Sequence, residues 1–200
     1  MILIEETPVP VSALPIDGFR EHLRLGSGFT DDTLQDSTLE RFLRASLAAI
    51  EARTGKILIE RDFNWVLSSW GGTMCQPLPV APLSSILSVT IVDRDGVETS
   101  VNDADYTLVQ DSLRPAIAST KGRLPAIPTS GSVRVQFTAG FGPAWEDLPP
   151  ELSQAVLLLA AHYYEFRHEA AFSGSAMPYG VSALIEKHRI LRLAGWGRQA

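Results

Sequence analysis

The sequence predicts an α+β protein in which helices from both ends of the chain form a bundle and carry an inserted antiparallel β region. Apolar residues recur at three- and four-residue spacing in the first part of the chain and again near its end. The stretch between them is rich in β-branched and aromatic residues, with turn signals separating short runs. We therefore predict a helical body made of residues 1–56 and 143–200, and a β region made of residues 57–142.

Length and composition are those of an ordinary globular chain. The 200 residues are 45% hydrophobic and 20% charged, which suits one domain with an appendage or two small domains. The longest apolar run, Ala155–Ala161, is far shorter than the roughly 18 residues of a membrane span. Acidic residues occupy the N-terminal stretch, where a signal peptide would carry basic ones. We expect a chain that is cytoplasmic at synthesis and makes no membrane contact.

Charge is distributed unevenly along the sequence. The net charge of −6 argues against a protein that wraps nucleic acid by neutralising phosphates. Residues 1–40 hold eight acidic side chains against two arginines, whereas residues 181–200 hold four basic side chains against one glutamate. This polarity fits head-to-tail contact between copies, or a different partner at each end, and it fits two independently solvated ends equally well.

Two helices are predicted before the β region. The first covers about Pro15–Leu25 and stops at a Gly-Ser-Gly sequence. The second begins after the capping oxygens of residues 30–32 and ends at Thr54, because the following glycine favours a helix C-cap. One face of this second helix carries its apolar residues, namely Leu34, Leu39, Phe42, Leu43, Leu47 and Ile50.

The β region contains several runs of strand-forming residues. They lie within residues 57–70, 85–101, 105–110 and 132–140. The sequence Asp93–Gly96 predicts a hairpin turn inside the second run. We expect these runs to form a small antiparallel sheet or a sandwich.

Helical periodicity returns after the β region. A long helix is predicted from about Pro150 to His168, with acidic residues and prolines placed where a first helical turn favours them. A looser stretch rich in small residues follows. A last short helix is predicted at about Val181–Leu193, ahead of a basic tail.

The sequence VRVQFTAGFG, residues 133–142, has the layout of a phosphate-binding loop because a strand runs into two glycines ahead of a helix. Such a loop needs backbone N–H groups and a helix N-terminus directly on the anion. Here Pro143 has no N–H, several residues separate it from the helix, and no GK[ST] sequence occurs. We therefore interpret Gly140, Gly142 and Pro143 as a strand-to-helix bend.

Catalytic and metal sites have little support in the sequence. Glu165 and His168 form one E-x-x-H pair, but a di-iron site needs a second such pair, and none is present. Cys75 is the one cysteine, which excludes an internal disulfide, and no neighbouring base activates it as a nucleophile. We predict neither a catalytic site nor a bound cofactor or metal. A small hydrolase whose carboxylates converge only in space remains an alternative.

An ordered set of segments carries a family resemblance. These segments are FREHLRL (residues 19–25), IEARTGKIL (50–58), LPVAPLSSILSVTIVDRDG (78–96), DYTLV (105–109), VRVQFTAGFG (133–142), LPPELSQAVLLLAAHYYEFRH (148–168) and MPYGVSALIEKHRI (177–190). In this order the chain resembles the head–tail connector, or adaptor, proteins of tailed double-stranded DNA phages and of the related gene transfer agents. The resemblance spans nearly the whole chain. The long β region is a departure, because smaller connectors are almost entirely helical.

The resemblance implies a structural role without catalysis. Family members form a ring, typically of twelve copies, between the portal and the stopper or tail proteins, and packaged DNA passes through the lumen without specific binding. The chain would reach the particle neck from the host cytoplasm, where particles assemble. By position, the candidates for docking onto the portal are Arg189, Arg192, Leu193, Trp196 and Arg198. Another neck or tail-completion component is the nearest alternative.

Overall fold

The computed structural model describes residues 1–25, 32–167 and 177–189. The described helices are α1 (Ile16–His22), α2 (Asp32–Thr54), α3 (Pro150–Glu165) and α4 (Tyr179–Ile185). The described strands are β1 (Ile2–Glu5), β2 (Arg61–Leu67), β3 (Cys75–Pro77), β4 (Leu83–Val92), β5 (Glu98–Ser100), β6 (Tyr106–Val109), β7 (Ala116–Ser119) and β8 (Ser132–Ala139). Helices from both ends of the chain thus flank a block of antiparallel strands, and the predicted α+β class is confirmed.

The larger sheet contains five strands in the order β1-β2-β8-β4-β5, and each neighbouring pair is antiparallel. Buried and half-exposed residues alternate along β2 and β8, as expected for strands with one face on a core. Phe63 and Phe137 lie opposite each other in these strands, with stacked rings 5.7 Å apart. The predicted hairpin joins β4 to β5, and its Gly96 has the positive φ of 81° that such a turn uses.

The smaller sheet has three strands in the order β3-β7-β6. Ile117 of β7 is completely buried, and Tyr106 of β6 is nearly so. Both belong to the same apolar cluster as Phe63 and Trp65 of the larger sheet. The two sheets therefore enclose one core.

The helices form a second apolar core. It unites Leu39, Leu43, Leu47 and Ile50 of α2 with Phe19 of α1, Leu152, Val156 and Leu159 of α3, and Val181 and Ile185 of α4. The α2 residues recur at three- and four-residue spacing, so they lie on one face of the helix and meet α3. An edge-to-face contact of Phe42 with Tyr164 extends this packing at 5.9 Å. Within the described residues, no helix is both long and apolar enough to cross a membrane.

Strand β1 was not predicted from the sequence. Its four residues are too few for periodicity to distinguish a strand from a loop. The strand forms by pairing with β2, about sixty positions away, in a register that places Ile4 opposite Asn64. The first residues of the chain are therefore joined by backbone hydrogen bonds to the larger sheet.

The last helix differs from its predicted bounds of Val181–Leu193. Helix α4 begins at Tyr179, directly after Pro178, because proline is compatible with the residue that precedes a helix. It changes at Glu186 to a 3-10 turn that ends at His188. Leu193 lies outside the described residues.

Candidate assembly surfaces

The chain that leaves β8 runs beside the segment that leads into β2. The Phe141 N–H donates to the Leu58 carbonyl at 3.1 Å, and the Glu60 N–H donates to the Gly142 carbonyl at 2.8 Å. These two bonds make a short parallel bridge between Ile59 and Gly142. The bridge therefore joins the two ends of the β region, where the chain enters it and where it leaves it.

At both glycines of this bend, neighbouring atoms leave no room for a side chain. Gly140 has a φ of 144°, which L-residues rarely adopt. A Cβ at this position would overlap the backbone of Glu60 and lie 2.8 Å from the carbonyl carbon of Ile59. A Cβ at Gly142 would overlap the side chain of Asp147. The two segments can approach this closely only where no side chain intervenes.

The residues after the bend lead directly into α3. Pro143 is exposed, and the Ala144 N–H donates to Oδ2 of Asp147 at 2.9 Å. Leu148 is buried in the helical core, and Pro149 and Pro150 start the helix. Gly140, Gly142 and Pro143 thus occupy the connection between β8 and α3, where they fix the direction in which the helix leaves the sheet.

A buried ion-pair network joins β2 to α2 and β1. The Arg61 guanidinium lies 2.6 Å from Oε2 of Glu51, and its Nε lies 3.1 Å from Oε1 of Glu5. Burial by itself lowers the pKa of Arg61, but the hydrogen bonds and charges of Glu51 and Glu5 outweigh burial and raise this pKa. Oε1 of Glu51 also accepts the Leu58 N–H at 2.8 Å. Sequence patterns could not predict this network because its members are far apart in the chain.

A second buried cation lies at the start of the β region. Lys56 is 3% exposed, and its Nζ donates to the carbonyl of Ser112. Burial lowers the pKa of Lys56, and the nearby charge of Asp111 offsets part of that effect. Backbone N–H groups of Arg114 and Leu113 lower the pKa of Asp111 by bonding to its carboxylate. The loop of residues 110–115 is thus held against the end of α2.

The C-terminal part of the described chain is held to α3 by an ion pair. Lys187 donates to Glu151 at the start of α3, and hydrogen bonding from Lys187 is the main cause that lowers the pKa of Glu151. The Nε2 atom of His188 is buried and has no hydrogen-bond partner, and burial lowers the pKa of this imidazole. The ion pair lies at the surface between α3 and the last described residues.

Arg189 is the one portal-docking candidate that the structure describes. It is exposed, and its guanidinium lies 3.1 Å from Oε2 of Glu186. An exposed pair of this kind contributes little to stability and leaves the arginine accessible to a partner. The other candidates, Arg192, Leu193, Trp196 and Arg198, lie outside the described residues.

The side chains considered for catalysis or metal binding do not converge in the described structure. Cys75 is exposed at the start of β3. Glu165 is exposed at the end of α3, and the ring of His162 lies 4.7 Å from that of Phe166. In residues 1–25, 32–167 and 177–189, no three His, Cys, Asp or Glu side chains are grouped as metal ligands. His168, the partner of Glu165 in the sequence pair, lies outside the described residues.

Two open clefts flank the β region. One, of about 550 Å³, lies between the loop that follows β2 and residues 123–127, and it exposes Trp70 and Arg123. The other, of about 300 Å³, lies beside β1 and is lined by Met1, Leu113 and Arg114. Apolar surface exceeds polar surface in both clefts, which favours contact with protein segments over catalysis.

The proteins found to be similar to this chain are all solved structures. No protein-family model matches the chain, and no curated protein matches it. One match is a chain in the neck of an empty gene transfer agent (GTA) particle, a neck structure that was computed with C6 symmetry. That chain is 50% identical over 98% of both chains, with a TM-score of 0.89. A chain in the virion of a native gene transfer agent (GTA) particle is 50% identical over 98% of both chains, with a TM-score of 0.86. A third chain, in the neck of a native GTA particle computed with C12 symmetry, is 47% identical over 98% of both chains, with a TM-score of 0.84.

Proposed function

Because the chain belongs to the family of gene transfer agent neck proteins, we propose that it is a structural adaptor in the neck of a phage-like particle. In this role it forms a ring between the portal and the stopper or tail proteins and acts as a conduit for packaged DNA. The observation that carries the proposal is the 47–50% identity to neck chains over 98% of the sequence. Identity of this extent covers the helical body and the β region alike.

A cyclic ring requires two different surfaces on each copy, because head-to-tail contacts are heterologous. The chain provides an acidic N-terminal part and a basic C-terminal part. A net charge of −6 also suits a conduit, since a lumen that bound DNA tightly would retain it. The C12 symmetry of a similar neck supports a ring of twelve copies.

We assign portal docking to the C-terminal segment. Val181 and Ile185 anchor α4 in the helical core, and the Lys187–Glu151 ion pair continues this anchorage to the last described residues. The segment beyond has no acidic residue and alternates arginine with apolar side chains. The docking residues are Arg189, Arg192, Leu193, Trp196 and Arg198.

The helical body and the β region, each built around its own apolar core, have different proposed roles. We assign docking onto the portal to the helical body, residues 1–56 and 143–200. The inserted β region, residues 57–142, forms the outer part of the ring. The role is structural, and the chain assembles in the host cytoplasm before it resides in the particle neck.

The test is portal attachment by a truncated chain. We expect that deletion of residues 195–200 abolishes binding to purified portal in a co-sedimentation assay, since it removes Trp196 and Arg198. The thermal unfolding midpoint should stay unchanged, because the described residues of both cores lie upstream of the deletion. As a control, the Glu165→Gln chain changes an exposed residue of α3, keeps the C-terminal segment and should bind normally. Attachment of the truncated chain at full strength would refute the docking assignment.

Imaging of the particle neck tests the adaptor role itself. We expect density for this chain as a ring directly below the portal. Its presence in the tail tube or baseplate instead would contradict the proposal.

A further inference from the structure

Among the described residues, the larger sheet ends at β1 on one side and at β5 on the other, with no further strand paired to either. Ile2 and Ile4 of β1 are 60% and 49% exposed, although they lie in a regular strand. Edge strands normally avoid unwanted pairing by being very short or by carrying charged side chains, prolines or bulges. Strand β1 is short and ends at Glu5, but Ile2, Leu3 and Ile4 are apolar, and the strand pairs with β2 in a regular register without a proline or a bulge. An apolar, regular and open edge is the kind of surface to which a further strand adds.

The register of β1 determines which of its backbone groups are free. The Glu6 N–H donates to the Asp62 carbonyl, and these residues continue the register of the β1–β2 pair. In an antiparallel pair, alternate residues direct their N–H and C=O groups towards the partner strand. Residues 2, 4 and 6 therefore face β2, while Leu3 and Glu5 direct their N–H and C=O groups outward.

Strand β5 offers a matching set at the opposite edge. The Val101 N–H donates to the Val89 carbonyl, in the same register as the β4–β5 pair. By the same alternation, Thr99 faces β4, while Glu98 and Ser100 direct their N–H and C=O groups outward. At each edge, two residues thus direct their backbone N–H and C=O groups outward. These residues are two positions apart in the sequence, which is about 6.7 Å along a strand.

Charge does not oppose contact between these edges. Each edge carries one glutamate, and an arginine of the same sheet already pairs with it. Glu5 lies 3.1 Å from Arg61, and Glu98 lies 2.9 Å from Arg134. The direction of the strands also agrees, since alternating antiparallel pairs make β1 and β5 run the same way.

We propose that neighbouring copies of this chain join edge to edge, with β1 of one copy adding to β5 of the next as a parallel pair. This inference rests on the ring-forming role proposed above and names the surface that closes the ring. Each copy uses one edge of each kind, which is the heterologous contact that cyclic symmetry requires. Pairing also covers Ile2 and Ile4, which are exposed in the single chain.

The proposal sets a dimension for the ring. Five strands at about 4.8 Å spacing give about 24 Å per copy, and twelve copies give a circumference of about 290 Å. The β regions would then form a belt at least about 90 Å across, and strand tilt would widen it.

A cysteine pair tests the contact in assembled particles. The chain carries Ile4→Cys and Ser100→Cys, in a Cys75→Ser background that removes the exposed native thiol. Mild oxidation should give a ladder of linked chains that reaches beyond the dimer, since each copy is linked on both sides. Each single variant should give no ladder. A dimer formed by Ile4→Cys alone would indicate a two-fold β1–β1 contact and would overturn the proposal.

A proline substitution tests the edge without a cross-link. Ser100→Pro removes one outward N–H of β5 and leaves the bonds to β4 intact, so the chain should fold with an unchanged melting temperature. We expect at least a tenfold loss of incorporation into particle necks relative to the matched Ser100→Ala chain. Equal incorporation of the two chains would overturn the edge contact, and so would an assembled ring without ladder formation. Failure of the Cys75→Ser parent to enter the neck would instead contradict the adaptor role.

Discussion

The Gly140→Ala variant tests whether the bend after β8 requires glycine. Its φ of 144° lies in a region that side chains rarely adopt, which costs roughly 1–3 kcal/mol. The new methyl group would also overlap the backbone of Glu60 and lie 2.8 Å from the carbonyl carbon of Ile59. Moving packed backbone aside costs about 1–3 kcal/mol more. We expect the free energy of unfolding to fall by about 4 kcal/mol, a large part of the roughly 5–15 kcal/mol typical of a domain.

Gly122→Ala is the matched control. Gly122 also has a positive φ, of 82°, but no atom lies within 4 Å of the position that a Cβ would take. Its cost is therefore backbone strain alone, about 1–2 kcal/mol. Because the backbone strain at the two positions is of similar size, most of the extra loss in Gly140→Ala reports the close approach at the bend.

Urea unfolding, followed by tryptophan fluorescence, measures both variants. Trp65 is buried in β2, beside β8, which ends directly before Gly140, so its emission reports on this region. Each kcal/mol should also lower the melting temperature by about 2–4 °C in a chain of this size. Equal losses of stability in Gly140→Ala and Gly122→Ala would refute the argument that contact with Glu60 dictates glycine.

Two further predictions concern charge. Glu51→Ala leaves the buried Arg61 without its main partner and should lower the free energy of unfolding by about 3–5 kcal/mol in urea titrations. Glu98→Ala breaks a more exposed pair and should cost at most about 1 kcal/mol; similar losses would contradict the role assigned to burial. Burial lowers the pKa of His188, so the unfolded chain binds more protons and stability should fall as the pH drops through 6.5. His188→Gln should remove this part of the loss between pH 7.5 and 5.5, and an unchanged pH profile would contradict it. The carboxylate of Asp111, whose pKa is lowered, stabilises the fold above pH 3.8 and loses this effect at lower pH.

The helices and the main strands were predictable because their signals are local. The apolar spacing of α2 and the glycine after Thr54 indicated both the buried face and the end of the helix, and Gly55 has the left-handed φ of 69° expected there. The hairpin at Asp93–Gly96 and the alternation in β8 were equally local. Each of these signals depends on residues within a few positions of one another.

Long-range partners were not predictable. Strand β1 is too short to be recognised without β2, and the division of the β region into two sheets depends on pairings between distant segments. The partners of Arg61 are ten and fifty-six positions away in sequence, so no spacing rule connects them. The resemblance of the ordered segments to adaptor proteins indicated a structural role, but it did not identify the open edges of the sheet.

The sequence by itself determined the order of the helices and the main strands, the buried faces of the helices, and the need for a bend at Gly140 and Gly142. These features follow from side-chain periodicity and backbone preference, which act within a few residues. The tertiary structure decided why the bend needs glycine, which is the approach of Glu60, and it decided which strands remain at the edges of the sheet. Those outcomes depend on contacts between segments far apart in the chain, and such contacts exist only once the two cores have formed.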